Sequence, residues 1–271
     1  MNRKALFFDI DGTLLSEITR QVPESAKRAL ETARSQGHLV FINTGRTYAC
    51  TGIIRQLVTP DGWLCGCGTY VEAEGRELYY RSMTEEQKER VCRALEAANV
   101  DGILEGRYGC FVGSPDSRFP QGRRMRKSLA MAIRSMDWNK ERGTAEKFCF
   151  LADESSGLEG LIAALEPEFQ VIDRGDGFYE CVPAGHSKAT AIDVVLKEYG
   201  LALEDAYVFG DSTNDLPMFE HVPNAVLMGR HSPELEPYAS FVTRTVEEDG
   251  IWYAMEQLGL LGEEPGCPAA D

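Results

Sequence analysis

The sequence predicts an α/β protein: a doubly wound parallel-sheet core with an α+β segment inserted into it. Three observations carry that prediction. Apolar runs at 5–8, 39–42 and 206–209 each stop abruptly at polar residues, as strands of a parallel sheet covered on both faces would. A helical stripe separates the first two runs, and strand, helix and strand in that order make a right-handed parallel unit. Between 83 and 182 the pattern changes to shorter, alternating strands with helices among them, and then the first pattern resumes. The expected division is therefore a core of 1–82 and 183–271 around a second unit of 83–182.

Composition bounds the possibilities. With 271 residues, 43% of them hydrophobic, the chain can bury a sizeable core. A formal net charge of -15 disfavours nucleic acid and anionic membrane surfaces as partners, since no basic face would meet them. The 8 cysteines include no C-x-x-C pair and no zinc-spaced Cys/His quartet, so they are expected to be reduced thiols. The first strand starts too early to leave room for a signal peptide, and no apolar run reaches membrane-spanning length. The expectation is a soluble cytoplasmic protein, a monomer or homodimer.

In chain order, Ala5-Leu6-Phe7-Phe8 is the first strand, and Asp9-Ile10-Asp11-Gly12-Thr13 follows at its end. Pro23 suits the first turn of a helix whose buried stripe is Ala26, Ala29, Leu30 and Ala33, with Gly37 ending it. The second strand runs straight into Asn43-Thr44-Gly45-Arg46. A third helix is expected over 48–58, then short strands near Leu64 and at 70–71, and a hairpin turning at Glu74-Gly75. Thr84-Glu85-Glu86-Gln87 is a capping box opening a helix with Val91, Leu95 and Ala98 on one face. Strands at 103–104 and 110–112 come next, then a basic stretch, 123–127, running into a helix and expected to be a solvated face. Strands at 148–151, 169–172 and 178–182 bracket a helix at 158–165. The resumed core pattern comprises a helix at 187–199, the strand 206–209, strands at 225–228 and 241–243, and a last helix at 251–258. The tail, 262–271, has the composition of a disordered end.

Three of these strands end in Asp9, Thr44 and Asp211. The carboxyl ends of a parallel sheet share one edge, and ligands bind in the crevice there. Asp9, Asp11, Thr44, Asp211 and Asp215 are therefore expected to meet in space. Four carboxylates would repel one another strongly, and a hard, oxygen-ligated cation such as Mg²⁺ resolves this. Lys188 opens a helix behind Ser187, where a cation opposes the helix dipole at a cost of roughly 0.3–1 kcal/mol. Beside an acidic cluster it reads as the charge that holds an anionic substrate.

The set Asp9-Ile10-Asp11-Gly12-Thr13, Thr44-Gly45-Arg46, Lys188 and Gly210-Asp211-Ser212-Thr213-Asn214-Asp215 resembles the four motifs of the haloacid dehalogenase superfamily. More narrowly it is similar to the Cof-type phosphatases, whose type IIB cap is inserted between the second and third motifs. Motif order, the long insertion and the phrase Asn214-Asp215-Leu216-Pro217-Met218-Phe219 extend the resemblance over the whole chain. The resemblance implies that Asp9 is a nucleophile forming an aspartyl-phosphate and that Asp11 is the general acid, then the base. It implies that Thr44, Gly45, Lys188 and Asn214 hold the phosphoryl group. It also implies that Asp9, the Asp11 backbone carbonyl and Asp211 bind Mg²⁺, with Asp215 in or just outside the ligand shell. The implied substrate is a small phosphorylated metabolite, a sugar phosphate foremost. A phosphomutase and a non-catalytic phosphate-metabolite binding protein are the alternatives.

The sequence departs from the pattern in one place. Family members usually carry Asn-Gly where this chain has Cys67-Gly68. Cys67 is expected to be a small packed residue and His186 a spacer. Arg46 is left open between substrate contact and structural residue.

Overall fold

The apolar run at the amino end forms β1 (Ala5–Phe8), and none of its four side chains reaches solvent. The computed structural model describes residues 2–135, 137–138 and 143–262, so the tail beyond 262 lies outside the described residues. Alternation along β1 sends Leu6 and Phe8 into the core that holds Ala26, Ala29 and Ala33. Ala5 and Phe7 enter the opposite core, with Ala191, Ile192 and Val195. Helices cover both faces, which is why an uninterrupted apolar strand is needed there.

The further strands in order are β2 (Leu39–Asn43), β3 (Gly62–Cys65), β4 (Tyr70–Ala73) and β5 (Arg76–Tyr80). Then come β6 (Asp101–Glu105), β7 (Cys110–Val112), β8 (Ile133–Ser135), β9 (Lys147–Leu151), β10 (Phe169–Asp173) and β11 (Phe178–Pro183). The chain closes with β12 (Ala206–Gly210), β13 (Asn224–Leu227) and β14 (Phe241–Val242). The α-helices are α1 (Glu24–Ser35), α2 (Glu85–Ala97), α3 (Pro120–Ser128), α4 (Leu158–Leu165), α5 (Lys188–Tyr199), α6 (Leu216–His221) and α7 (Gly250–Gln257).

The core sheet has the order β14-β13-β12-β1-β2-β3-β4-β5. Pairing is parallel from β14 to β3 and antiparallel through the β3-β4-β5 hairpins. The chain leaves β1 toward β2 on one side and returns to it through β12 on the other. That reversal of direction opens a crevice above the carboxyl end of β1. Phe8 pairs with Ile42 and with Phe209, so Asp9, Asn43 and Gly210 stand at one level on this edge.

The cap sheet has the order β10-β11-β9-β6-β7-β8 and is antiparallel except where β7 meets β8. Its own core joins Leu95 of α2 and Leu161 of α4 to Phe148, Phe150, Phe169 and Trp138. The Thr84 capping box is present: Thr84 Oγ1 accepts the Gln87 N–H at 3.1 Å, and Gln87 Oε1 accepts the Thr84 N–H at 3.0 Å. Among the described residues no helix is long and apolar enough to cross a membrane.

Two expectations need correction. Residues 48–58 form not one helix but two short 3₁₀ turns, Tyr48–Thr51 and Ile54–Gln56. Gly52 lies between them, and the Thr51 hydroxyl donates back to the Tyr48 carbonyl at 2.8 Å, competing with helix continuation. The basic stretch lies inside α3 rather than before a helix. It is also not a uniformly solvated face: Arg126 is buried and forks onto Asp101.

Candidate active site

Strand ends deliver Asp9 and Asp211, and the 3₁₀ turn Thr213–Asp215 delivers Asp215. Asp9 continues β1, is almost completely buried, and donates its N–H to the Phe209 carbonyl at 3.0 Å. Asp211 follows β12, and its carboxylate accepts the Thr13 hydroxyl at 3.1 Å. Asp215 is fully buried, and its Oδ2 accepts the N–H groups of Asp211 at 2.9 Å and Ser212 at 3.1 Å. Asp9, Asp211 and Asp215 each offer an oxygen, and these three oxygens lie within 4.8 Å of one another.

Lys188 is the first residue of α5, directly after the N-cap Ser187. Its side chain is excluded from solvent, and its ammonium donates to Asp9 Oδ1 and Asp215 Oδ1 at 2.5 Å each. The Asn43 amide at the end of β2 donates to the Lys188 carbonyl at 3.0 Å, pinning the first turn of the helix. A buried ammonium at a helix N-terminus is tolerable because two carboxylates flank it.

Gly12 explains why the turn after the acidic pair must be bare. Its φ is +80°, and a Cβ there would lie 2.3 Å from Asp211 Oδ2. The site is shaped so tightly around Asp211 that even a methyl group would displace it.

The electrostatics are those of a site short of positive charge. Burial, together with the nearby Asp215 and Asp11, pushes the Asp9 carboxyl up to about 7, against the pull of Lys188. Burial and repulsion from Asp9 and Asp215 push Asp211 up to about 8. Burial would lower Lys188, but the Asp215 and Asp9 charges overcome it and hold the ammonium well above its usual range. Three carboxylates against one lysine, with oxygen donors only, fit a hard divalent cation such as Mg²⁺.

Asp11 does not join this cluster through its side chain. It faces the cleft, held by the Arg46 guanidinium, whose Nε donates to Oδ2 at 2.8 Å while Nη2 donates to Oδ1. Arg46 thus pairs with Asp11 and also lines the cleft. Thr44 is buried on the cleft wall, its hydroxyl accepting the Arg46 N–H at 3.1 Å. Asn214 faces Gly45, its Nδ2 lying 3.4 Å from where a Cβ of residue 45 would stand, and its Oδ1 accepts the Ser212 hydroxyl at 2.8 Å.

Above these residues is a cavity of about 1160 Å³. Asp9, Asp11, Thr44, Gly45, Asp211 and Asn214 line it from the core, while Glu105, Lys147, Arg174 and Glu180 line it from the cap. These four were missed by sequence reasoning, and Arg124 of α3, expected on a solvated face, also lines the cavity. Lys147 is buried, donates to the Gly45 carbonyl at 3.1 Å and pairs with Glu180. Arg174 donates to the Thr213 hydroxyl at 3.1 Å. One signal was available: Glu180 is a charged residue in the middle of an otherwise apolar strand. Lys147, at a strand end, looks like any solvated flank.

Cys67 is buried, with its thiol pushed up to about 12 chiefly by burial, so it is a packed residue and not a nucleophile. Its φ of +53° places it in the left-handed region that asparagine tolerates best after glycine. His186 turns to the Tyr79 hydroxyl at 2.7 Å, away from the acidic cluster.

Residues 6–255 match the family described as haloacid dehalogenase-like hydrolase. The Bacillus subtilis (strain 168) protein named "Putative phosphatase YkrA" is 30% identical over 278 residues, spanning 96% of this chain and 100% of that one. The HMP-PP phosphatase of Yersinia pestis (strain Pestoides F) is 28% identical over 254 residues, spanning 90% and 91%. The solved structure of BT4131, described as a HAD subclass IIB sugar phosphatase, has a TM-score of 0.79. It is 26% identical and the match covers 95% of this chain and 99% of that one.

Proposed function

The chain belongs to the haloacid dehalogenase-like hydrolases, and on that premise we propose that it is a Mg²⁺-dependent phosphatase of small phosphorylated metabolites, with sugar phosphates foremost. The observation that carries the reading is the buried Lys188 ammonium seated between Asp9 and Asp215, in an acidic cluster whose oxygen donors fit a hard cation.

In this reading Asp9 attacks phosphorus through one carboxylate oxygen, and the bond from phosphorus to the leaving alcohol oxygen breaks. Asp11 gives that oxygen its proton. A water molecule then attacks the aspartyl-phosphate, passing its proton to Asp11 and releasing Asp9 as a carboxylate. Lys188 touches Asp9 already, so a phosphoryl group joined to Asp9 meets a fixed positive charge without reorganisation. Thr44, Gly45 and Asn214 supply neutral donors on the cleft wall. The Asp9 and Asp211 carboxylates and the Asp11 backbone carbonyl would hold Mg²⁺, which neutralises charge on the transferring group when bound. Asp215 stands behind them, since Lys188 and two backbone amides engage its oxygens. The rest of the substrate would face the cap, 83–182. There Glu105, Lys147, Arg174 and Glu180 offer the mixed donors and acceptors that a polyol needs.

The test is a screen of phosphorylated metabolites and an aryl phosphate, measuring released phosphate with Mg²⁺ and with a chelator. Turnover should require the metal and should vanish in Asp9→Asn, which folds but cannot attack. Metal-independent turnover, or an active Asp9→Asn, would overturn this reading.

A further inference from the structure

Two thiols that the phosphoryl chemistry does not use meet across the junction of core and cap. Cys50 lies in the 3₁₀ turn Tyr48–Thr51 of the core, and Cys110 opens β7 of the cap. Their sulfur atoms are 3.5 Å apart although the residues are 60 positions apart in sequence. Cys110 is fully buried, whereas Cys50 is half-buried and lines the cleft, so a small solute can reach one sulfur of the pair. The surroundings make the two unequal. The Thr47 hydroxyl donates to Cys50 Sγ at 3.5 Å, and Cys110 Sγ lies against the same sulfur. That contact with Cys110 is the largest cause holding the Cys50 thiol below its usual range, against burial. Cys50 is therefore the better nucleophile and Cys110 the sulfur placed to resolve it.

We propose that Cys50 and Cys110 are a redox pair whose disulfide staples the cap to the core. The step balances with a low-molecular-weight disulfide as oxidant. The Cys50 thiolate attacks one sulfur of that disulfide, forming a mixed disulfide and expelling a thiolate. Cys110 then attacks Cys50 Sγ, its proton leaving as the S–S bond forms, and expels the second thiolate. Two protein thiols are oxidised, one small disulfide is reduced to two thiols, and the two protein protons end on those thiols. The sulfurs must approach by about 1.5 Å to reach the ordinary S–S length of about 2.05 Å. Cys50 can supply this, because its turn is short and is followed by Gly52.

The consequence follows from what otherwise joins the two units. Lys147 to the Gly45 carbonyl, Arg174 to Thr213, Thr69 to Glu146 and Arg107 to Glu77 and Tyr70 are all non-covalent contacts, which can part without breaking a bond. Substrate entry and product exit depend on such opening. A covalent bridge beside the cleft holds the cap closed, so the oxidised chain is arrested and reduction releases it. The disulfide and the held cap stand apart from the phosphatase reading, and the arrest of turnover rests on it.

The experiment treats the full chain with bis(2-hydroxyethyl) disulfide, then maps disulfides by mass spectrometry of an unreduced digest. It follows hydrogen exchange at 44–50 and 110–112, and turnover of an aryl phosphate. The expected result is a peptide holding Cys50 joined to one holding Cys110. Slower exchange in both segments and at least ten-fold lower turnover should accompany it, all reversed by dithiothreitol. Cys110→Ala should abolish the link and the response to oxidant, and Cys50→Ser serves if that variant does not fold. The proposal fails if no such link forms, if Cys50 joins Cys149 instead, or if the link forms with exchange unchanged. Should neither state turn over any phosphate, the exchange measurement decides alone, so failure of the phosphatase reading is distinguished from failure of this one.

Discussion

A lysine shut away from water survives only among anions, and Lys188 has two of them at 2.5 Å. Lys188→Ala should remove about 3 kcal/mol or more of transition-state stabilisation, roughly a hundred-fold in kcat. A change confined to KM would reduce Lys188 to a binding residue. The acids around it set a pH response for the metal-free protein. Asp9 and Asp211 hold protons up to about 7 and 8 when folded, against 3.8 as ordinary carboxyls. The folded state thus binds these protons more tightly than the unfolded one, so their contribution to stability is greatest below pH 4 and falls as pH rises toward 8. In chelator, the melting temperature should drop further between pH 5 and pH 8 for the native chain than for Asp9→Asn. Mg²⁺ should restore more at pH 8 than at pH 5, and equal shifts would contradict the assignment of these two acids. Asp9 and Asp211 were readable from sequence because strand ends of a parallel sheet share an edge; Asp215 follows in the same motif as Asp211, and Lys188 was read as a cation opening a helix. The Arg46 fork on Asp11 and the Lys147 contact with Gly45 were not readable, because they depend on how separate segments approach.

At the level of elements, the turn after β1 is where local geometry and chemistry constrain each other most. Gly12→Ala would bring a φ of +80° that costs an alanine about 1–2 kcal/mol, and a Cβ aimed at Asp211. We expect at least a ten-fold loss of turnover and a higher Mg²⁺ concentration for half-saturation, with the far-ultraviolet spectrum unchanged. Normal metal dependence in that variant would show that Asp211 has room the structure denies it. Strands and capped helices were read correctly where pattern and punctuation agreed, as at Thr84 and Ser187. The helix expected over 48–58 does not form because Gly52 and the Thr51 hydroxyl work against continuation. The burial of Arg126 was likewise unreadable, since its partner Asp101 comes from a strand 25 residues earlier.

For the whole molecule, the division of labour between the two sheets is the point to test. The residues proposed for catalysis lie on the core sheet's edge, and Glu105, Lys147, Arg174 and Glu180 face them from the cap. Exchanging 83–182 for the corresponding segment of a relative with another preference should carry that preference across while the need for Asp9 and Mg²⁺ stays. An unchanged ranking of kcat/KM among substrates would place selectivity in the core. The position of β1 has one more consequence, and it concerns how the chain is born. Ala5 pairs with Leu39 early but with Ala206 only after the whole cap has been synthesised. On the ribosome the central strand therefore waits with one edge open, while β6 to β11 can close their sheet among themselves. Refolding should show the same sequence of events: Trp138, inside the cap core, should reach its native fluorescence before Trp63 of the core sheet. Simultaneous arrival in single-tryptophan variants would mean that the two units fold as one.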